Sequence, residues 1–422
     1  MKRAKHSNAH DLVTVVDIGG AKAACIIASL IPVRGGAYEV DVLGVGQHGG
    51  IAADRNADAE TSVRAAIDSA ERMAGETVKS VYLSVGGKAL TCRRLAVDMP
   101  LSGGVVTEDD IADCAAEGGA AAPEKNRSLH LIPLRYAVDG EPFDEPPMGR
   151  IGETMTAEVM NISMRESAAA NAEAVLGRCG LAVDGFIGGP LAAANSVLIE
   201  DEMELGVMLI DLGARTTNFS IFERGAITAC GGVSVGGDHV TRDIAQIFGA
   251  PLAAAERIKT FYGSAIISPG DDNRLVDVPQ LGGPGEVRRH SRADISAVVL
   301  PRLEEIFELT AMAAERLTLS ASSIHRVVLT GGGSLMLGVV ETAEQVLSAK
   351  ARLGRPVAML GAPEAATAPQ FSTALGVLQF IAQGRHGAYA PDRGRRAFAS
   401  PLRMAAGGGL VRGVGAWLKS NF

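Results

Sequence analysis

One short pattern occurs twice in this chain, and it constrains the fold more than any other feature. Residues 12–18 (LVTVVDI), 24–31 (ACIIASLI) and 38–45 (YEVDVLGV) read as three consecutive strands, followed by a helical stretch at 57–74 and a strand around 79–85. Residues 206–211 (GVMLID), 217–222 (TNFSIF) and 226–231 (AITACG) repeat the three strands, followed by a helix at 238–248. The first strand of each set closes on an aspartate and then a glycine turn: Asp17-Ile18-Gly19-Gly20-Ala21-Lys22 and, 194 residues on, Asp211-Leu212-Gly213-Ala214-Arg215-Thr216-Thr217. A βββα unit repeated at half-chain spacing implies two similar lobes with a cleft between them.

The turns carry phosphate chemistry. Glycines in a hairpin turn let backbone N–H groups approach a phosphate, Lys22 can offset its charge, and Asp17 can hold Mg²⁺ through water. Alone, the first turn reads more readily as a Gly-Gly hairpin with a solvated lysine. Two such turns in equivalent positions are harder to explain that way. Facing each other, they would clamp a nucleotide's phosphates and its metal, with Asp17 and Asp211 as metal-holding carboxylates and Gly213, Thr216 and Thr217 on the second wall. A buried strand ending in Gly331-Gly332-Gly333 supplies a turn that can lie flat against an adenine or ribose. Glu256 and Lys259 share a helix face at i, i+3 and suit a ribose, or form a plain surface ion pair. Gly44-Val45-Gly46-Gln47-His48-Gly49 fits GxGxxG, but the run Ala52 to Ala59 after it reads as loop, so no dinucleotide site is assigned. No P-loop pattern occurs.

Charge separates the body from the tail. The formal net charge is −8, which argues against a nucleic-acid partner. Residues 385–422 nevertheless hold seven basic residues against the single acid Asp392, so the tail calls for an anionic partner of its own. Five cysteines without CxxC and eight scattered histidines support neither a zinc site nor a disulfide framework. No apolar run is long enough to span a membrane, and no signal peptide is evident, so a cytoplasmic protein is expected.

Residues 86–162 read as an inserted subdomain with one helix (107–120), one strand (127–138) and a Pro-rich turn (141–147). Residues 282–292 read as a flexible basic loop, and 387–409 as a linker. The expected division is a first-lobe core at 11–85, 163–203 and 351–386, the insert at 86–162, a second-lobe core at 204–236 and 306–350, and a smaller second-lobe subdomain at 237–305.

Together the phosphate turns, the Gly331–Gly333 turn, the helix run Pro190-Leu191-Ala192-Ala193-Ala194 and Ala374-Leu375-Gly376 resemble the superfamily of actin, the heat-shock chaperones and the sugar kinases. Within it, Val81-Tyr82-Leu83 and the insert after it, Arg178-Cys179-Gly180-Leu181, Glu204-Leu205-Gly206-Val207 and Trp417-Leu418-Lys419 make the chain similar to the FtsA family of bacterial division proteins. The resemblance covers nearly all of residues 11–422. It implies an α/β, actin-like (ribonuclease H-like, duplicated) two-lobed fold with the FtsA-type inserted subdomain and a C-terminal amphipathic helix. It also implies ATP and Mg²⁺ binding, self-association into filaments, recognition of the FtsZ C-terminal peptide, recruitment of later division proteins, and a place on the cytoplasmic face of the inner membrane at the septum. The peptide site falls on the second lobe's smaller subdomain near Arg292 and Arg302. The chain departs from the family at Gly20, where Ser or Thr is usual, and at Ala214 and Arg215, where glycines are usual. It also has Gly189 where hydrolysing relatives place a glutamate, so ATP turnover should be weak or absent. Competing readings of the same fold are a sugar or acid kinase and a PilM-like pilus scaffold.

On a helical wheel, Leu410, Val411, Val414, Trp417, Leu418 and Phe422 fall within an arc of about 140°, with Arg412 and Lys419 opposite. Thirteen helical residues span only ~20 Å against the ~30 Å hydrocarbon core, so the helix is expected in the plane of an anionic membrane surface.

Overall fold

The computed structural model describes residues 11–33, 38–49, 56–120, 123, 125–283, 285–317 and 324–384. The expected linker 387–409 and helix 410–422, with all its proposed membrane-facing residues, lie outside them.

The first lobe opens with β1 (Asp11–Ile18), β2 (Lys22–Pro32) and β3 (Tyr38–Gly49), an antiparallel meander, then α1 (Asn56–Ala74) and β4 (Ser80–Val85). The insert follows as β5 (Leu90–Pro100), α2 (Glu108–Ala120), β6 (Asn126–Val138), β7 (Glu141–Phe143) and β8 (Thr154–Arg165). The chain returns through α3 (Glu166–Arg178), β9 (Ala182–Gly188), α4 (Gly189–Val197) and α5 (Glu200–Leu205). The second lobe repeats the plan with β10 (Val207–Leu212), β11 (Thr217–Glu223), β12 (Ala226–Val233), α6 (Gly237–Phe248) and α7 (Leu252–Tyr262). Then come β13 (Leu275–Pro279), β14 (Val287–Ser291), α8 (Arg292–Glu315), β15 (Arg326–Thr330), α9 (Val339–Leu347), β16 (Lys350–Leu353) and α10 (Ser372–Ala382).

The described residues form two five-stranded sheets of the same order, β3-β2-β1-β4-β9 and β12-β11-β10-β15-β16. In each, an antiparallel meander continues into parallel strands, so Asp17 and Asp211 stand at the same place in their sheets. The central strands are short apolar runs buried on both faces, as a sheet covered on both sides requires. One core gathers around Val15, Ile26, Leu375 and Phe380, the other around Ile210, Phe219, Phe307 and Leu329.

The structure corrects five local expectations. The insert is a four-stranded antiparallel sheet, β5-β8-β6-β7, with its own small core around Val97, Tyr136 and Met155. Its strands β5 and β8 are not expected from the sequence, because the pairs Arg93-Arg94 and Val159-Met160 break the alternation that marks a strand. The basic run 282–292 is not all loop, since 287–291 is strand β14, paired with β13 and exposing its arginines. Helix α1 begins at Asn56, inside the stretch read as loop; Gly46 still serves no dinucleotide, because a Cβ there would lie 1.9 Å from the Ala66 carbonyl of that helix. Helix α8 runs unbroken to Glu315 and so crosses the expected subdomain boundary at 305. Ser291 caps it, accepting from the Asp294 N–H while Asp294 accepts from the Ser291 N–H. Strand β16 belongs to the second sheet, which carries that lobe three residues past the expected 350.

Candidate functional site

The two aspartates end β1 and β10, and the sheets aim them at one another across the cleft. Asp17 accepts a short hydrogen bond from the Ser84 hydroxyl at the end of β4. Asp211 accepts from Thr373 Oγ1 on the first turn of α10, at 3.1 Å. Burial pushes the Asp17 carboxyl above the usual carboxylate range, against the Ser84 bond and the Lys22 charge. Asp211 is pushed up to about 6, by burial first and then by the Asp17 charge. Burial brings the Lys22 ammonium down to about 8 although both carboxylates favour its charge. Lys22 Nζ donates to Gln47 Oε1 at 3.2 Å and lies 4.4 Å from the centre of the Phe371 ring. Two opposed buried carboxylates with one weakened ammonium suit a hard divalent cation. Such a pair leaves most of the coordination shell to water and phosphate, which is how Mg²⁺ is usually held. The residues therefore fit Mg²⁺ and a nucleotide's phosphates.

The turns themselves meet. A Cβ on Gly20 would lie 2.8 Å from Cγ and 3.0 Å from the backbone N of Arg215. A Cβ on Gly87 would lie 2.9 Å from Thr216 Cγ2, and the Gly87 N–H donates to Asn218 Oδ1 at 2.6 Å. The second turn is stapled to the start of α6, where Gly237 N–H donates to the Gly213 carbonyl at 3.0 Å and Asp238 N–H to that of Ala214 at 2.7 Å. Arg215 Nε stands 3.4 Å from Asp238 Oδ2. Gly19 N–H is used within its own turn, on the Lys22 carbonyl.

The other candidates divide. Thr217 is buried and donates to the Val235 carbonyl, so it shapes the turn from behind. Lys259 reaches the Gly237 carbonyl at 3.1 Å, Thr241 Oγ1 at 2.9 Å and Glu256 Oε2 at 2.7 Å. The Glu256–Lys259 pair is thus no stray surface ion pair: it braces the start of α6 beside the second turn, with Glu256 half-exposed. Gly331 sits at φ +83°, where a Cβ would fall 2.2 Å from Asp211 Oδ1, and one on Gly333 would fall 3.0 Å from Leu212 Cβ. These two glycines serve the close approach of β15 to the end of β10, leaving Gly332 as the least crowded of the three, where a Cβ would meet Gln370 Cβ at 3.9 Å. Gly189 begins α4, where a Cβ would lie 3.1 Å from the Val85 carbonyl oxygen and 3.5 Å from Thr373 Cγ2, so position 189 itself supplies no carboxylate.

Arg292 and Arg302 lie apart from the cleft on α8, and each is engaged within the fold. Arg292 pairs with the buried Asp271 at 3.4 Å and donates to the Tyr262 carbonyl. Arg302 forks onto Asp243 and also meets Glu305. Sequence reasoning missed Ser84, Thr373, Asn218 and Asp238, which have no motif and gain meaning only from what the fold sets opposite them. A hollow of about 340 Å³ bounded by Tyr38, Asn195, Leu360 and Gln379 lies at the far end of the β1–β3 meander and contains neither aspartate.

Residues 208–376 match the family described as cell division protein FtsA, and residues 87–163 match the SHS2 domain inserted in that protein. The chain is 32% identical to the cell division protein FtsA of Agrobacterium fabrum, over 97% of this chain and 95% of that one. It belongs to the FtsA family of cell division proteins. Identity to the FtsA protein of Escherichia coli K12 is also 32%, over 97% and 98% of the two chains, and to that of Pseudomonas aeruginosa 30% over the same shares. The fold is actin-like. The PilM-PilN type IV pilus biogenesis complex superposes with a TM-score of 0.60 at 17% identity, covering 88% of this chain and 98% of that one. MreB5 of Spiroplasma citri bound to ADP gives 0.51 at 14% identity, covering 89% and 98%. At such identities these two likenesses concern the fold alone.

Proposed function

We propose that this FtsA-family chain binds ATP·Mg²⁺ in the cleft, self-associates, and tethers FtsZ filaments to the cytoplasmic face of the inner membrane at the septum through residues 410–422, recruiting later division proteins there. The observation that carries the nucleotide reading is the opposed pair Asp17 and Asp211 with Lys22 beside them. Asp17 and Asp211 would hold Mg²⁺ through water, and the ion would neutralise phosphate charge. Lys22 would meet the phosphates, along with backbone N–H groups of the two turns other than those of Gly19 and Gly213, which donate to the Lys22 and Thr216 carbonyls within their own turns. Gly332 would take the flat face of the base, and Glu256 a ribose hydroxyl. Gly189 offers no group to activate a water, so turnover is very slow or absent, well below the roughly 1 s⁻¹ of ordinary enzymes.

The FtsZ peptide, of mixed apolar and acidic character, is assigned to the smaller subdomain of the second lobe. Support is stronger near Arg292 than near Arg302. Tyr262, whose carbonyl Arg292 meets, and its neighbours Phe261 and Leu275 are exposed apolar side chains. Arg302 is already forked onto Asp243. The test is co-sedimentation of FtsZ with anionic vesicles. The full chain with ATP·Mg²⁺ should carry FtsZ into the pellet, and a chain ending at Gly409 should bind FtsZ yet leave both in the supernatant. Equal pelleting of the two chains would refute attachment through the tail. Failure of both to bind FtsZ would refute the adaptor role.

A further inference from the structure

The place that a side chain on Gly20 would occupy is filled from the opposite lobe. The stem of Arg215 lies there, its Cγ 2.8 Å and Cβ 3.1 Å from where a Cβ of residue 20 would be. The Arg215 side chain is half-buried, at 26% exposure, and its guanidinium is steadied by Asp238 at 3.4 Å on the first turn of α6. A cationic side chain is therefore anchored where the second turn touches the first.

The orientation of a bound nucleotide follows from the glycine turns, and this step rests on the nucleotide reading above. The base end belongs beside Gly332, at the end of β15 in the second lobe, next to Asp211. The phosphate chain then runs from Asp211 towards Lys22 and Asp17 in the first lobe, so its far end arrives where Gly20 and Arg215 meet. We infer that Arg215 is the residue that recognises the terminal phosphate of a nucleoside triphosphate, its stem standing where the first turn lacks a side chain of its own and its guanidinium held beyond that point by Asp238. An Arg fork suits a phosphate's oxygens better than it suits the single carboxylate of Asp238, and a third phosphate adds charge that a diphosphate lacks.

The consequence is discrimination between ATP and ADP, and a coupling between positions 20 and 215. Calorimetric titration of the full chain with ATP·Mg²⁺ and ADP·Mg²⁺ tests it. Arg215→Ala should weaken ATP more than tenfold and ADP by less than threefold, with Arg215→Lys between the wild type and Ala. Gly20→Ser should weaken ATP similarly, because its Cβ displaces the Arg215 stem, yet should add little when combined with Arg215→Ala. Such non-additivity is the signature of two residues acting through one contact. If Arg215→Ala leaves the ATP/ADP ratio unchanged or tightens ATP, this inference is overturned while the nucleotide site stands. If the wild type binds neither nucleotide, the nucleotide reading falls and takes this one with it.

Discussion

Asp17 and Asp211 share a single ammonium, Lys22, whose own charge is weakened by burial. Each ionised carboxylate gives up water and meets a like charge, so in the empty cleft Asp211 costs stability. Its rise from 3.8 to about 6 corresponds to ~3 kcal/mol if all of it were recovered. Asparagine keeps the shape and the Thr373 contact but still loses hydration, so Asp211→Asn should stabilise the chain without ligand by about 1–2 kcal/mol. A higher melting temperature in EDTA at pH 7.5, together with loss of the melting-temperature rise on adding ATP·Mg²⁺, is the expected pair of results. A variant that melts lower than the wild type in EDTA would show that Asp211 is structurally paired. The same trade explains the glycines at 331 and 333: they are spent on bringing β15 against the end of β10, which holds Asp211 where the cleft needs it.

Between elements, the junction of α5 with β16 joins the two lobes on the side away from the insert. Arg352 of β16 forks onto Glu202 of α5, with both contacts at 2.6 Å, and reaches the Val197 carbonyl at the end of α4 at 3.2 Å. Burial pushes the Glu202 carboxyl up, but the Arg352 hydrogen bonds and the Ile199 N–H outweigh it and hold Glu202 below the usual carboxylate range. A depressed native pKa means that the unfolded chain binds the proton more readily. The stabilisation is therefore present above the unfolded value of about 4.5 and is lost as pH falls below it. Arg352→Ala leaves a largely buried carboxylate unpaired. Breaking a fully buried pair costs roughly 3–5 kcal/mol; Arg352 is 42% exposed, so about 2 kcal/mol is expected here at pH 7. Urea unfolding should show this gap shrinking towards pH 4, and a pH-independent gap would assign the effect to lost packing. Helix α8 is a second element-scale case. A capping box starts it, and Ile295, Val299, Leu303, Phe307, Thr310 and Ala314 keep one face buried through Pro301, which packing tolerates although a proline removes a backbone donor.

For the whole molecule, the proposed function turns on how the body would reach a membrane. Among the described residues no helix is long and apolar enough to cross one. The proposed attachment rests on the segment 410–422, which carries Trp417, the only tryptophan in the sequence. An indole at the edge of the apolar arc buries its ring and keeps its N–H at headgroup level. Its emission should shift to the blue when anionic vesicles are added, and less so at high salt, as screening removes the Arg412 and Lys419 contribution. Trp417→Glu should abolish vesicle binding and leave ATP affinity within twofold. Emission already blue without lipid, and unmoved by vesicles, would place the helix against the protein's own body. On that proposal, weak single tails would become firm attachment when an assembly presents many at once.

Read alone, the sequence determined the duplicated two-lobe plan, because strand runs closing on Asp-x-Gly leave a local imprint that needs no tertiary context. It likewise marked Asp17, Lys22, Asp211 and the Gly331–Gly333 turn, since glycine turns after buried strands are written in consecutive residues. Strands β5 and β8 of the insert escaped, as they hold together through partners up to 74 residues away and their alternation is broken at Arg93-Arg94 and at Val159-Met160. So did Ser84, Thr373 and Asn218, each a common residue given a role by what lies across the cleft. Only the tertiary structure decided that Lys259 braces α6, that Arg302 is engaged by Asp243, and that Arg215 fills the space left at Gly20. Local patterns encode which backbone a segment adopts; which side chains meet is a property of two lobes folded onto each other, and no spacing along the chain records it.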